Sequence, residues 1–359
     1  MADHFHTVWP EFNRTAFKRA AGKNLEDLEL KARSQQITEA MIRYLPQDFT
    51  QAAEVMLESL APDDDSDLAD ATVTVEGIAG WAIMPMTEYV GLQGQAHFDL
   101  SMDVLKELTK RSSSEFGIRY FILANPKRAL RIMKPWTKDP SRHVRRLVSE
   151  GTRPRLPWAM QLPCFIEDPA PVITLLEKLK DDDEEYVRRS VANNLNDIAK
   201  DHPDRVADIA EAWIENASKE RQKLVRHACR TLIKQGHKKT MRALGYGAPA
   251  IKLKSLSVQT PEVIFGNALQ FEITLTSMSK NDQPLIIDYI IHHRKANGST
   301  SEKVFKWKTL TLPAGKTKRM ERKHPMRPIT TRVYYPGTHK IEIVINGKRY
   351  GNASFELEI

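Results

Sequence analysis

A chain of 359 residues with 41% hydrophobic and 28% charged side chains has room for two or three domains with proper cores and the balance of an ordinary globular protein. Its formal charge of +8 is unevenly held: residues 1–100 carry 7 basic and 17 acidic residues, 101–250 carry 29 and 20, and 251–359 carry 18 and 9, so a polyanion is the leading partner for the last two thirds. The start Met1-Ala2-Asp3-His4-Phe5 has no basic or apolar run, no stretch approaches the ~20 apolar residues of a membrane span, and two cysteines cannot make a disulfide framework, so a cytoplasmic protein off the membrane is expected, with Cys164 and Cys229 as reduced core thiols.

Residues 11–60 read as helices, with Leu25, Leu28, Ala32, Ile37, Met41 and Ile42 near i, i+3, i+4 spacing and a second run from Ala52 to Leu60. The acidic stretch Pro62 to Asp67 breaks that pattern. An apolar helix opens at Gly77 to Met86 and ends near Gly91 and Gly94, with Trp81 expected in the core. Met102 to Lys110 and Phe116 to Leu123 are the next helices, and Ser112-Ser-Ser-Glu115 predicts a side-chain cap on the second.

From 126 to 245 a motif recurs: Val144-Arg145-Arg146, Val187-Arg188-Arg189 and Val225-Arg226-His227, at spacings of 43 and 38 residues. That period predicts two-helix HEAT-like repeats that stack to share one core. At roughly 100° per residue, the valine and the residues three and four beyond it face inward while the second arginine faces out. Arg146 and Glu150 then share a face, and Arg189, Asn193 and Asp197 continue it in the next copy. The bland reading of such pairs is i,i+4 ion pairing on a solvated face. Between copies, Gly151-Thr-Arg-Pro-Arg-Leu-Pro-Trp158 cannot continue a helix because of Pro154 and Pro157. It offers Arg153, Arg155 and Trp158 together, with a core plug as the alternative role of Trp158.

After Gly245 to Pro249 the period changes from 3.6 to 2. Leu269 to Leu275, Leu285 to Ile291, Ile341 to Ile345 and Phe355 to Ile359 alternate as half-buried strands. Turn signals at 280–282, 297–298, 313–315, 336–337 and 346–347 leave room for about seven strands. The fold class expected is an all-α HEAT-like repeat solenoid over residues 1–246, followed by an all-β immunoglobulin-like sandwich over 251–359.

No glycine-rich phosphate loop, His-x-Glu metal pattern or nucleophile elbow is present, and the neighbours His292 and His293 point to opposite faces of a strand, so no metal and no cofactor is expected. The acidic runs 63–67 and 181–185 lack calcium-loop spacing and read as solvated turns or helix starts. What remains is Glu115, Glu150 and Asp197 near arginines and Trp158. A carboxylate facing bound nucleic acid repels phosphate, which makes it worth singling out. Cleavage of an N-glycosidic bond would give it work, since the transition state is oxocarbenium-like and a carboxylate can stabilise that charge or orient a water. The repeat register puts Glu150 and Asp197 on one face but does not bring Glu115 there, and for Glu115 a helix-dipole role stays open. A non-catalytic repeat scaffold that binds nucleic acid or acidic protein is the competing reading.

Ser112 to Arg119, His143 to Trp158 and Tyr186 to Asp197 resemble the AlkC branch of the HEAT-like-repeat DNA alkylation-repair glycosylases, and the middle block is the specific one. Ile287-Asp288-Tyr289 and Lys295 to Gly298 extend the resemblance into the strand-rich part. It implies a monofunctional DNA glycosylase that releases cationic alkylated bases, 3-methyladenine and 3-methylcytosine first and 7-methylguanine as a further candidate, from duplex DNA without flipping the base. It places the catalytic carboxylates on Glu115, Glu150 and Asp197 and the active-site tryptophan on Trp158. The surrounding arginines, Arg145, Arg146, Arg153, Arg155, Arg188, Arg189 and Arg226, become DNA-contact candidates. Double-stranded DNA containing alkylated bases is the implied partner of a monomer held at the nucleoid through DNA binding. Gly117 departs from the family pattern, where a small aliphatic residue is usual, as does the more basic His292-His293-Arg294.

Overall fold

The computed structural model describes residues 1–63, 68, 71–330 and 332–359; most of the acidic stretch after Pro62, from Asp64 to Asp67, lies outside the described residues. A helical N-terminal region is followed by a β-rich C-terminal one. The helices are α1 (Ala2–Val8), α2 (Arg14–Gly22), α3 (Leu30–Tyr44), α4 (Phe49–Glu58), α5 (Ile83–Gln93), α6 (Phe98–Leu108), α7 (Ile118–Ala124), α8 (Pro126–Trp136), α9 (Arg142–Gly151), α10 (Pro163–Glu167), α11 (Ala170–Leu179), α12 (Glu185–Ile198), α13 (Pro203–Ile214), α14 (Lys219–Ala228), α15 (Arg230–Lys234) and α16 (Lys238–Ala243). Two compact units result, Met1–His202 with Ala217–Ala228 and Pro203–Asn216 with Cys229–Ile359.

In the first unit the three copies of the motif fall on α9, α12 and α14; α9 packs on α12 and α12 on α14. The inward positions follow the helical wheel, since Val144, Leu147 and Val148, then Val187 and Val191, then Leu224, Val225 and Ala228 are all buried. Helix starts use short polar caps. Asn13, Asp48 and Asn125 accept from the backbone N–H three residues on, and Pro126 supplies the fixed φ of a first helical residue. The cap expected from Ser112 to Glu115 does not form. Residues 109–117 make a turn instead, Ser114 Oγ donates to the Leu105 carbonyl at 2.8 Å, and α7 starts after Gly117 without a side-chain cap. Gly117 is there because a Cβ would sit 2.4 Å from the Thr87 carbonyl of α5.

In the second unit β1 (Ile251–Val258), β3 (Ala268–Ser277) and β6 (Thr317–Pro325) form one sheet in the order β1-β3-β6. The strands β2 (Glu262–Ile264), β4 (Gln283–Arg294), β5 (Thr300–Leu312), β7 (Gly337–Ile345) and β8 (Lys348–Glu358) form the other, in the order β2-β8-β7-β4-β5. Among the described residues there are eight strands, and the one beyond the expected count is the three-residue β2, which pairs parallel to β8. Leu269, Phe271, Ile273 and Leu275 of one sheet close a shared core with Ile287, Tyr289, Ile291, Ile341 and Ile343 of the other. Asn346 and Gly347, both at positive φ, make the tight β7–β8 turn. Cys229 is buried, which pushes its thiol up to about 12, whereas Cys164 is only half-buried.

The sandwich also encloses histidines. His293 lies against Tyr334 and His339, with ring centroids 5.5 and 5.7 Å away, and Tyr289 Oη and His324 Nδ1 are 2.9 Å apart. Burial, reinforced by nearby cations, lowers His293 to about 3 and His324 to about 4, and burial also lowers His339. The unfolded chain binds these protons near pH ~6.5, so stability present above that pH is lost as pH falls towards the folded values. Asp288, raised by burial to about 6, acts in the opposite sense below that pH. The balance predicts a loss on the order of 2 kcal/mol between pH 7 and pH 5, read as a falling melting temperature of the β-rich unit. An unchanged melting temperature over that range would contradict neutral histidines in this core.

Candidate active site

The site lies wholly in the first unit. Glu150 lies in the last turn of α9, Asp197 in the last turn of α12, and Glu115 sits in the turn between α6 and α7. Two arginines join them. Arg146 Nη1 donates to Glu115 Oε2 at 2.9 Å and Nη2 stands 3.7 Å from Glu150 Oε1. Arg153 Nη1 donates to Glu150 Oε1 at 2.6 Å and Nε to Asp197 Oδ2 at 2.8 Å. The result is an alternating row, Glu115, Arg146, Glu150, Arg153, Asp197, in which each arginine bridges two carboxylates. Ser113 Oγ donates to Glu115 at 2.6 Å, Ser190 Oγ to Glu150 at 2.6 Å, and Lys200 Nζ to Asp197 at 3.0 Å.

This overturns the solvated-face reading for two of the carboxylates, since Glu150 is 5% and Asp197 2% exposed. The two carboxylates do share a face, but Arg153 from the following loop pairs with both, and Ser190 of α12 closes on Glu150. Burial alone would raise the Glu150 carboxyl, yet Arg146 and Arg153 outweigh it and hold the group below the ordinary value. Burial likewise opposes the charge on Arg146, and Glu115 and Glu150 more than restore it. Both charged forms therefore persist at neutral pH. Arg146 also lies over the Tyr186 ring, 4.9 Å from its centroid.

The loop is held from α7 by a residue that the helical pattern did not single out. Arg119 is fully buried; its Nε donates to the Met160 carbonyl at 2.6 Å, and Nη1 to those of Gly151 and Arg153 at 3.0 and 2.8 Å. Burial, with Arg153 nearby, lowers its pKa to about 10, which leaves it protonated at neutral pH. The available signal was one cation within the apolar run Ile118 to Leu123. At the tip of this loop Trp158 is no core plug: it is 71% exposed at φ 65°, and its carbonyl accepts from Lys31 Nζ at 2.9 Å. A left-handed tryptophan costs about 1–3 kcal/mol and persists only where its surroundings impose it.

Glu115, Arg146, Glu150, Arg153, Trp158 and Tyr186 line one cleft of about 420 Å³, with Leu30, Met84, Phe116 and Leu156 as apolar wall. Asp197 is not on that lining and stands behind Arg153. Trp81, expected in the core, is also on the cleft and is 69% exposed. Among the described residues, no group of three or more His, Cys, Asp or Glu side chains is placed to hold a metal ion.

The other named arginines are more dispersed. Arg145 grips Asp182 through Nε and Nη2 at 2.7 and 3.0 Å, and Arg155 grips Asp201 with both distances 2.9 Å. Arg188 donates to the carbonyls of Asp182 and Asp183. Arg189 and Arg226 are exposed. Arg188 and Arg189 also border a groove of about 700 Å³ between α12 and α14, to which Lys219 and Lys223 add charge that the motif alone did not flag.

A family model described as "DNA alkylation repair enzyme" matches residues 112–242, and one described as "Uncharacterised protein YhaZ, C-terminal Ig-like domain" matches residues 252–359. The uncharacterized protein YhaZ of Bacillus subtilis (strain 168) is 34% identical over 358 residues, 99% of this chain and 95% of that protein. The alkylpurine DNA glycosylase AlkC of Pseudomonas fluorescens, solved bound to DNA containing an abasic-site analog, is similar with a TM-score of 0.88 at 35% identity, over 100% of this chain and 96% of that one. With the match extending from end to end through both the carboxylate-bearing helices and the β-rich region, the chain belongs to the AlkC branch of the HEAT-like-repeat DNA alkylation-repair glycosylases.

Proposed function

We propose that this enzyme hydrolyses the N-glycosidic bond of cationic alkylated bases in duplex DNA, with 3-methyladenine and 3-methylcytosine as first substrates and 7-methylguanine as a further one, and that it does so without drawing the base into a pocket. The observation that carries this reading is the pair of carboxylates Glu115 and Glu150, aligned on the cleft by Arg146 and Arg153 beside an exposed tryptophan. An alkylated base is already a cation and leaves as a neutral molecule, so no acid is needed at the base. The bond from C1′ to nitrogen breaks, positive charge moves to the sugar, and water adds at C1′ and gives up a proton. Glu115 and Glu150 stabilise the sugar cation and orient the water; Asp197 adds its charge through Arg153. Trp158 packs against the lesion nucleotide. An open cleft of this size, with a wall rather than an enclosing cavity, supports recognition of a base still associated with its duplex.

We assign residues 1–246 to a HEAT-like solenoid that binds DNA and carries the chemistry, and residues 251–359 to an immunoglobulin-like domain whose excess positive charge adds to DNA engagement. The protein acts as a monomer on cytoplasmic, nucleoid DNA and needs no cofactor. The purified protein should release free 3-methyladenine from methylated duplex DNA faster than spontaneous depurination. Release at the background rate would overturn the proposal.

A further inference from the structure

We propose that Trp81 is a second aromatic contact to DNA bound at this cleft, stacking on a nucleobase at the lesion site as a counterpart to Trp158; the inference rests on the glycosylase reading and extends it. Trp81 is 69% exposed although the chain beside it is not: Ile78 and Ile83 are fully buried. The turn that presents it is rigidly held. Gly80 sits at φ 68°, where a Cβ would come within 1.9 Å of the Ala71 carbonyl oxygen, and its N–H donates to the Arg111 carbonyl at 3.0 Å. Arg111 is itself tied to the Ala61 carbonyl by Nε at 2.7 Å. A large apolar ring fixed in water next to an apolar interior gives up the burial that normally places tryptophan, and this geometry prevents the turn from folding it inward.

The place where the ring is held is informative. Trp81 lines the same cleft as Glu115, Arg146, Glu150 and Trp158. An indole offers a flat π-face that every base can stack on, and of the aromatic side chains it attracts a cation over its face most strongly. Bases unstacked by a bound protein, and a cationic base above all, are what such a surface fits. Trp81 lies outside the row of charges, so its contribution is to hold DNA in place rather than to lower the barrier at C1′.

The test uses the full chain with Trp81→Phe, Trp81→Leu and Trp81→Ala beside the unaltered protein. Affinity is measured for a duplex carrying a tetrahydrofuran abasic-site analogue, together with thermal melts and single-turnover base release at saturating protein. Loss of one stacked aromatic should weaken affinity about tenfold to a hundredfold in the leucine and alanine variants, with phenylalanine recovering most of it and the leucine variant melting like the unaltered protein. At saturating protein the release rate should change much less than the affinity. Wild-type affinity in the leucine variant would overturn the inference, as would a phenylalanine variant as weak as alanine. If the unaltered protein releases no base, the glycosylase reading fails, and the binding comparison alone decides the role of Trp81.

Discussion

Glu115→Gln, Glu150→Gln and Asp197→Asn are each expected to slow single-turnover release of alkylated base by roughly 10² to 10³, the usual effect of removing one electrostatic contact to a developing charge. DNA affinity should hold or rise, because each change removes a negative charge on or just behind the cleft that meets DNA. The ion pairs add a second expected effect. Glu150 and Asp197 are enclosed and bonded to arginines, so neutralising either leaves buried guanidinium charge poorly paired and lowers the melting temperature. Glu115 is the cleaner probe: it is on the cleft, only partly enclosed, and bonded through a single carboxylate oxygen to Ser113 and Arg146. Rates should be compared at a temperature where all variants are folded, after subtracting spontaneous depurination. Full activity in all three under those conditions would remove the carboxylates from the chemistry.

Affinity for duplex DNA should fall about 10²-fold between 50 and 200 mM salt, the loss expected when about four phosphates are neutralised. The estimate follows from how the cations are used. Arg145, Arg146, Arg153 and Arg155 are enclosed or gripped in carboxylate pairs, whereas Arg189 and Lys223, which share Glu185 at 3.1 and 2.8 Å, keep their side chains largely in solvent and, with Lys219 and Arg226 around α12 and α14, are the leading phosphate contacts. Arg189, 66% exposed in its side chain, is the first to change. Arg189→Gln should weaken binding alike for damaged and intact duplexes and reduce the slope of log affinity against log salt by ~0.9. A salt dependence near zero would remove DNA backbone from the partners of this surface.

Much of the architecture was legible because it is periodic. One valine per motif marked the buried stripe of α9, α12 and α14, and alternation from Leu269 onward marked the strands, since both patterns report which side of an element meets a core. The site was legible in part for the same reason, with Glu150 and Asp197 in register. Glu115 was not, because no periodicity links a turn to a helix; it reaches the site only through Arg146, 31 residues along the chain. Trp81 read as core by residue type, and for Trp158 a core role stood open beside a site role; both are exposed, since left-handed backbone at Gly80 and at Trp158 itself redirects the chain, and no spacing rule encodes a sign of φ. The missing cap at Ser112 to Glu115 has a similar cause, as Ser113 and Glu115 are engaged with each other and with Arg146 instead.

The three carbonyls gathered by Arg119 also constrain how this protein can vary. Gly151 closes α9 and Arg153 and Met160 belong to the loop that follows it, while the guanidinium that reads all three belongs to α7. A lysine has no planar fork with which to reach both ends of the loop at once, so the exchange of one basic residue for the other is not conservative here. Inserting or deleting a residue between 153 and 160 would carry the Met160 carbonyl out of reach and turn Arg153 away from its two carboxylates. The length of this loop and the single buried arginine on a different helix are therefore tied together, so that a change in one requires a change in the other.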